Sequence, residues 1–461
     1  MTAPTALSLA EIGQAFDERR LSAHDLVEAA IANHARWDTK LHAYSLWTPD
    51  IARMMAQHAD DALARGRRLG PLHGIPIAPK DLFAAAGMPT FAGSPRRLPA
   101  RWEQDGPVIA ALRRQAGVFT GKTHMVEFAF GGTGVNAHWG CPRNPWDVAQ
   151  ERSPGGSSSG AGVALLEGSA LIALGTDTAG SVRIPASATG TAGLKVTAGR
   201  WSTDGIVPLS HTFDTPGVLA RSVADAALAF TVIDPGAPRA IEPASLTGLR
   251  IGIDDAMWKD CAPGIAEAAK AAVDRLTRAG ARLVTKTVPE FAAAFAVFCD
   301  GGVSAIELRR FLDRELPEWI TTLDPINAPV IARAATIPEE TYRGRLARLA
   351  APAASVTTTL ADVDVIATPT LTVTPPLVST IRDTASHWQA NQALTRNTVP
   401  VNYLGLCAIS LPVGLDAARM PVGLQFVARS RQEEALLAAA LAAERVIGTA
   451  RDVLGVPPLL A

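Results

Sequence analysis

The stretch from Arg152 to Lys195 constrains the fold of this chain more than any other. It contains two turns of small residues, Gly155 to Gly160 and Thr176 to Ser181, which bracket a helix-like segment and the apolar, strand-like segment Ala170 to Gly175. Glycine reaches positive φ and lets other backbone approach closely, so such turns form at low cost only where glycine is present. Both turns also carry serine. This combination indicates hydroxyls and backbone N–H groups held in exposed turns, as an acyl-transfer enzyme requires.

A single Gly/Ser-rich run is more often a plain loop or linker. A third segment upstream, Gly74 to Asp81, places Lys80 directly after a short apolar strand punctuated by proline. The three segments, in this order, resemble the amidase signature family, whose pattern is G-[IV]-P-[IV]-x-x-K-D, then G-G-S-S-G-G, then G-[TS]-D-[TI]-G-G-S-[IV]-R. Ser157 and Ser181 also lie 24 positions apart, as in that pattern.

Further landmarks extend the resemblance over about residues 70 to 430; they are Arg143 to Asp147, Gly193 to Lys195, Asp364 to Pro369 and Pro421 to Gln425. The resemblance implies an α/β fold, a single large domain over residues 1–461 with a twisted mixed β-sheet covered by α-helices. Its expected parts are N-terminal helices over about 1–68, the catalytic core over about 70–230, a variable substrate-pocket region over about 288–360, and closing strands and a helix over about 361–461.

The resemblance also implies the catalytic residues. Ser181 is the expected nucleophile and Lys80 the base, while Ser157, which follows a cis peptide bond in the family, connects the two. Because a free lysine has a pKa of about 10.4, Lys80 must be buried to act as a neutral base. The expected oxyanion-hole donors are the N–H groups of Thr178, Ala179, Gly180 and Ser181. Residues expected to bind substrate or to support the loop are Ser158, Asp177 and Arg183.

Three positions depart from the family pattern. Ala179 and Ser159 stand where the family has glycine, and either substitution could narrow the pocket near the oxyanion hole. Val196 stands where proline usually follows Gly-Leu-Lys. Other chemistries lack their motifs, since the sequence has no H-E-x-x-H, no complete G-x-G-x-x-G after a strand and no G-x-S-x-G. We therefore expect neither a metal nor an organic cofactor.

Composition narrows the class of protein. Apolar residues make up 48% and charged residues 19% of 461 residues, which suits a sizeable core and argues against disorder. The net charge of −1 gives no reason to expect nucleic acid or an anionic membrane as a partner. Four widely spaced cysteines without C-x-x-C predict buried free thiols. Because Glu11 and Asp17 interrupt any signal-like segment, we expect a cytoplasmic enzyme whose partner is a small-molecule amide, with a homodimer left open.

Periodicity and capping signals predict the elements. The predicted helices are two within 7–37 and others at 51–66, 107–117, 222–233, 264–279 and 432–447, with most of 290–360 helical as well. The predicted strands are 74–78, 118–122, 249–253, 282–285, 363–368, 408–413 and 422–427. Residues 84–107 are predicted to form a long loop, and 181–222 to alternate turns with short apolar pieces. Residues 123–139 either line a pocket or form a Gly-rich turn with buried aromatics.

Three functions stay open at this point. The first is a free-standing amidase for a small or aryl-substituted amide, because Gly205 to Ser210 and Asp214 with Thr215 are similar to the indoleacetamide and mandelamide hydrolase branches, although Phe213 replaces an expected arginine. The second is the glutaminase subunit of an aminoacyl-tRNA amidotransferase, against which Ile184 stands where that branch usually has glutamine. The third is a catalytically retired scaffold, against which the intact lysine and two serines argue.

Overall fold

Ten strands form one mixed sheet at the centre of the fold in the computed structural model, which describes residues 3–461. The order across the sheet is β3-β2-β5-β7-β6-β11-β12-β10-β8-β9, and β1 and β4 form a separate two-stranded sheet. The strands are β1 Tyr44–Trp47, β2 Pro76–Pro79, β3 Val118–Phe119, β4 Gly121–Thr123, β5 Ile172–Asp177, β6 Ala192–Lys195, β7 Thr215–Ala220, β8 Arg250–Asp254, β9 Arg282–Lys286, β10 Val365–Pro369, β11 Cys407–Leu415 and β12 Pro421–Ala428.

Helices cover the sheet, as the predicted single-domain α/β fold requires. They are α1 Leu9–Asp17, α2 Ala23–Leu41, α3 Pro49–Ala64, α4 Pro107–Arg114, α5 Ser159–Glu167, α6 Arg183–Thr189, α7 Val223–Ile233, α8 Ile265–Arg278, α9 Pro289–Cys299, α10 Ser304–Glu315, α11 Ala328–Ala334, α12 Glu339–Thr359, α13 Thr384–Thr395, α14 Val399–Tyr403, α15 Glu433–Ile447 and α16 Ala450–Leu454. The predicted N-terminal caps are confirmed, since Ser8 and Glu11 form a capping box on α1 and the Ser22 hydroxyl accepts from Asp25 N–H on α2.

Strands β2 and β5 bring distant parts of the sequence to one edge of the sheet. They are adjacent and parallel, with Ile77 opposite Ile172 and Pro79 opposite Leu174. Every residue of both strands is buried, and their sequences are therefore mostly apolar, as expected for parallel strands covered on both faces. Their carboxyl ends lie side by side. The residues that follow them are therefore neighbours in space although about a hundred positions separate them in sequence.

The main corrections concern residues 44–47 and 118–222. The predicted strand 118–122 is split at Thr120, because β3 joins the large sheet while β4 pairs with β1, a strand that the sequence did not reveal. Every position of β1 is half-buried, so it shows no alternation of apolar and polar residues. Residues 181–222 contain helix α6 as well as β6 and β7. Helix α6 is short and buried on all sides, so it lacks an amphipathic pattern.

The structure also bears on three further expectations, which concern a metal site, a membrane-spanning segment and the cysteines. Across residues 3–461, no cluster of three or more His, Cys, Asp or Glu side chains is arranged to hold a metal ion. In the same part of the chain no single helix is long and apolar enough to cross a bilayer, and only α9 and α10 together, bent by 46°, pass that test. All four thiols are free, but the expectation that they are buried holds for Cys407 alone, because Cys299 is exposed and the other two are half-buried.

Candidate active site

Lys80 leaves the end of β2 and is completely buried. Its side-chain nitrogen lies 2.7 Å from Ser157 Oγ and 3.0 Å from Thr176 Oγ1. Burial lowers the pKa of Lys80 to about 7, although the negative charges of Asp214 and Asp177 act to raise it. A lysine with this pKa is neutral in a large fraction of molecules near pH 7, so it can accept a proton from the serine that it contacts.

Ser157 lies at the start of the turn that leads into α5. The Gly156–Ser157 peptide bond is cis, in agreement with the family pattern. The turn packs against the backbone of a neighbouring loop, because the Ser157 carbonyl accepts from Val126 N–H at 3.1 Å and a Cβ on Gly156 would lie 2.6 Å from the nitrogen of Gly134. Only glycine fits at position 156. The position of the Ser157 hydroxyl is thus set by backbone contacts on both sides.

Ser181 ends the turn that follows β5, and 5% of its surface is exposed. Its carbonyl accepts from Ser158 N–H at 3.4 Å, which ties the two serine-containing turns to each other. Among residues 3–461, no hydrogen bond joins the hydroxyls of Ser181 and Ser157. The structure therefore brings Lys80, Ser157 and Ser181 to one place, with Lys80 and Ser157 in direct contact.

The Asp177 carboxylate organises the turn that carries Ser181. It accepts from Gly180 N–H at 2.8 Å and Val182 N–H at 3.1 Å, and it forms an ion pair with Arg183 at 2.9 Å. Burial alone would raise the pKa of Asp177, but the charge and the hydrogen bonds of Arg183 lower it to about 2. A permanently charged aspartate can hold several donors at once, so this side chain fixes the path of the turn.

Hydrogen bonds from Arg183 connect the turn to residues that lie about 215 to 240 positions further along the chain. It donates to Gln425 Oε1 at 2.5 Å, Asn402 Oδ1 at 2.5 Å and the Thr398 carbonyl at 3.1 Å. Gln425 belongs to one of the sequence landmarks, whereas no motif in the sequence pointed to Asn402 or Thr398. The one signal was a set of polar residues in a short apolar segment, N-T-V-P-V-N-Y, and that pattern alone gives no function.

The four expected oxyanion-hole donors are not equivalent. Gly180 donates its N–H to Asp177, so this group is already occupied. The backbone N–H groups of Thr178, Ala179 and Ser181 make no hydrogen bond within residues 3–461. Thr398 lies behind the turn and donates its hydroxyl to the Ala179 carbonyl at 2.6 Å. Three of the four expected donors are thus unpaired in the described part of the chain, and their role in an oxyanion hole stays a prediction.

The neighbouring serines differ in their surroundings. Ser158 Oγ is buried and has no hydrogen-bond partner within residues 3–461. Ser159 Oγ lies 2.8 Å from His124 Nδ1 and also donates to the His124 carbonyl at 3.3 Å. The extra hydroxyl at position 159 is therefore engaged by the segment that follows β4. Ser158 Oγ packs against Gly175, where an added Cβ would lie 2.7 Å away, so a contact between Ser158 and substrate stays a prediction.

A cavity of about 410 Å³ lies beside the site, and its wall includes the aromatic side chains Phe130, Phe298, Trp388 and Tyr403. Helix α14 lies between this cavity and the turn that carries Ser181, because Tyr403 lies on this helix and its N-cap residue Thr398 contacts Ala179. Lys80, Ser157 and Ser181 do not line it. Phe213 stacks on Tyr403 with ring centres 4.2 Å apart and so supports the wall. Residues from 123–139 and from 290–360 both contribute to this cavity.

A buried lysine in contact with a serine, next to a second serine in a turn with free N–H groups, is the arrangement of an enzyme that hydrolyses amides. A family model described as Amidase matches residues 25–437, and the chain belongs to that family. The predicted family, fold and enzyme class are thus confirmed.

Relatives of known function agree with this assignment. The 2-amino-5-chloromuconic acid deaminase of Comamonas testosteroni is 47% identical over 457 residues, which cover 98% of this chain and 99% of the relative. A glutamyl-tRNA(Gln) amidotransferase subunit from Salinispora tropica is 31% identical, with 97% of this chain and 99% of the relative covered. The structure of a peptide amidase in complex with the inhibitor chymostatin superposes with a TM-score of 0.83 at 28% identity, covering 98% of both chains.

Proposed function

We propose that this enzyme hydrolyses a small amide through an acyl-enzyme on Ser181 and releases ammonia or an amine. The observation that carries the proposal is the 2.7 Å contact between Lys80 Nζ and Ser157 Oγ, made by a lysine whose pKa burial lowers to about 7. A neutral lysine accepts a proton from Ser157, and Ser157 in turn accepts the proton of Ser181. The two serines and the lysine then form one path for the proton.

The reaction has two halves. In the first, Ser181 Oγ forms a bond to the carbonyl carbon while its proton passes to Ser157, and the proton of Ser157 passes to Lys80. Ser157 then protonates the leaving nitrogen and regains a proton from Lys80, the C–N bond breaks, and the acyl group stays on Ser181. In the second half, water loses a proton along the same path and attacks the acyl-enzyme; the ester C–O bond breaks, the proton returns along the path to Ser181 Oγ, and the carboxylate leaves.

The negative charge on the substrate oxygen is stabilised by N–H groups of the turn. Thr178, Ala179 and Ser181 offer free N–H groups there. Each donor of this kind typically contributes about 3 kcal/mol to lowering the barrier. Asp177 and Arg183 are not reactants in this scheme. They hold the turn in the conformation that aims the donors.

A second candidate function is removal of ammonia from a 2-amino unsaturated acid. The 47% identity to 2-amino-5-chloromuconic acid deaminase over nearly the full length of both chains favours it. In its imine form, such a substrate has a polarised C=N carbon that water can attack after losing a proton to Ser157; the C–N bond of the resulting carbinolamine then breaks, ammonia leaves with a proton from Ser157, and the added oxygen becomes the carbonyl of a 2-oxo acid. This reaction uses the same proton path as amide hydrolysis, but water takes the place of Ser181 as the nucleophile.

The role of a glutaminase subunit has less support. The amidotransferase relatives are 31–32% identical, well below the deaminase, and Ile184 differs from the glutamine expected in that branch. On the basis of the sequence, we also propose that the enzyme is cytoplasmic and forms a homodimer. Size-exclusion chromatography with light scattering tests the homodimer directly.

The test is ammonia release from a panel of substrates by the parent enzyme and by Ser181→Ala. The panel contains short aliphatic amides, arylacetamides, glutamine and a 2-aminomuconic acid. We expect release from at least one amide, reduced by at least a thousandfold in Ser181→Ala, or from the amino acid of the muconic type. Ser202→Ala is the matched control, because Ser202 is exposed and its hydroxyl only accepts from Asp204 N–H. Equal activity of Ser181→Ala and the parent would overturn the proposed nucleophile.

A further inference from the structure

Asp214 lies between a neighbouring loop and the turn Thr178 to Ser181, which is the oxyanion turn of the proposed function. Its Oδ1 accepts from the Thr178 hydroxyl at 2.5 Å, and its Oδ2 accepts from the N–H groups of Leu209 and Ser210 at 2.8 and 3.0 Å. One carboxylate thus joins the first residue of the turn to the loop 209–214. Because a charged acceptor makes stronger hydrogen bonds than a neutral one, the position of Thr178 depends on this side chain.

A second carboxylate continues the connection. Glu307, on α10, accepts from the Ser210 hydroxyl, from Thr212 Oγ1 at 2.5 Å and from the hydroxyl of Tyr342 at 2.8 Å. Glu307 and Ser210 are buried. Since Tyr342 belongs to α12, helix α10 is hydrogen-bonded directly to the loop that holds Asp214, and α12 is connected to that loop through Glu307.

We propose that Asp214 is a positioning residue for the oxyanion turn, and that Glu307 couples helices α10 and α12 to the turn through Ser210 and Asp214. The proposal rests on the proposed function, in which the turn after β5 is catalytic. It adds that the helical region affects the rate of the chemical step through this chain of hydrogen bonds, besides contributing residues to the cavity wall. Neither carboxylate needs to touch the substrate.

Asp214 and Glu307 differ in their effect on the pKa of Lys80, and this difference can be measured. The carboxylates that act on Lys80 are Asp214 and Asp177, and the charge of Asp177 is balanced by its ion pair with Arg183 and by nearby Lys195. Removing the charge of Asp214 makes protonated Lys80 less favourable and lowers its pKa. The pH at which activity falls on the acidic side then moves downward. Glu307 does not act on Lys80, so its replacement leaves that pH unchanged.

The experiment compares Asp214→Asn, Glu307→Gln and the pair Thr178→Val and Thr178→Ser, each assayed for kcat, KM and the pH profile of kcat/KM. We expect Asp214→Asn, Glu307→Gln and Thr178→Val each to lower kcat by about tenfold or more with KM changed less than threefold, because one positioning hydrogen bond is lost. Thr178→Ser keeps the hydroxyl and restores most of the activity. Only Asp214→Asn shifts the acidic limb to lower pH.

Melting temperatures of all four variants show whether each is folded. If Asp214→Asn does not fold, the Thr178 pair tests the same hydrogen bond from its other end. The proposal is overturned by parental kcat in Asp214→Asn or Thr178→Val, or by equal activity of Thr178→Val and Thr178→Ser. Effects on KM alone overturn it as well. Failure of the proposed nucleophile is recognised separately, because Ser181→Ala is then as active as the parent whatever the Asp214 variants do.

Discussion

Arg183 and Asp177 form an ion pair, 2.9 Å long, in which both side chains are shielded completely from solvent. The pair lies directly behind the turn that carries Ser181, and its members lie six positions apart in sequence. Such a pair is strongly coupled to the fold, because removing either member leaves a buried charge without its partner.

Replacing Arg183 with Met therefore lowers both stability and activity. We expect the free energy of unfolding to fall by about 3–5 kcal/mol, since the Asp177 carboxylate stays buried without its cation. Urea unfolding followed by circular dichroism measures the change. Arg348→Met is the matched control, because Arg348 pairs with Asp300 at the surface, where the expected loss is below about 1 kcal/mol. Similar losses for the two variants would contradict the prediction.

The pH profile reports the proposed base. With the pKa of Lys80 lowered to about 7, kcat/KM rises with pH up to about 7 and then levels off, because only neutral Lys80 accepts the proton. Lys80→Arg stays charged and loses activity throughout. Lys40→Arg, at an exposed position, keeps the parental profile. A parent enzyme whose kcat/KM is constant from pH 5 to 8 would rule out Lys80 as the base.

A substitution at Gly180 tests whether activity depends on the backbone conformation of the turn that carries Ser181. The φ of Gly180 is +128°, and a Cβ there would lie 2.2 Å from Thr398 Oγ1, so Gly180→Ala moves the turn and its N–H groups. We expect a loss of at least about a hundredfold in kcat, comparable to removal of one oxyanion donor. Gly199→Ala is the control, since Gly199 also has positive φ, at +72°, but faces open space. Parental kcat in Gly180→Ala would mean that the turn adapts without cost.

Replacing Trp388 tests whether the cavity that it lines binds the substrate. Trp388→Ala removes one aromatic wall, and we expect KM for arylacetamides to rise several-fold while KM for the shortest aliphatic amide changes little. Initial rates over a substrate series give both values. Trp319→Ala serves as the control, because Trp319 packs under Arg96 and does not line the cavity. A uniform change across the series would place substrate elsewhere.

Sequence alone singled out Lys80, Ser157 and Ser181, because each belongs to a short motif with an unusual residue order. It also placed most helices and strands, whose periodicity reflects burial on one face or on both. It could not provide the partners of Arg183, since Asn402 and Thr398 come from a five-residue helix and its cap more than two hundred positions away. Nor could it show that Gly180 N–H is taken by Asp177, because the spacing of a motif does not give the direction of a hydrogen bond.

The chain from Thr178 through Asp214 and Ser210 to Glu307 and Tyr342 has a consequence for engineering. Exchanging residues 289–359 with those of a relative is an obvious way to change the substrate, because these helices contribute to the cavity wall while the lysine and serines stay on the sheet. Such a chimera keeps a fast chemical step only if the incoming helices again present a carboxylate and a phenol at positions 307 and 342. Substrate selectivity and catalytic rate then change together when the segment is exchanged. If the segment taken from the relative lacks the carboxylate or the phenol, both groups must be restored before its substrate selectivity can be measured.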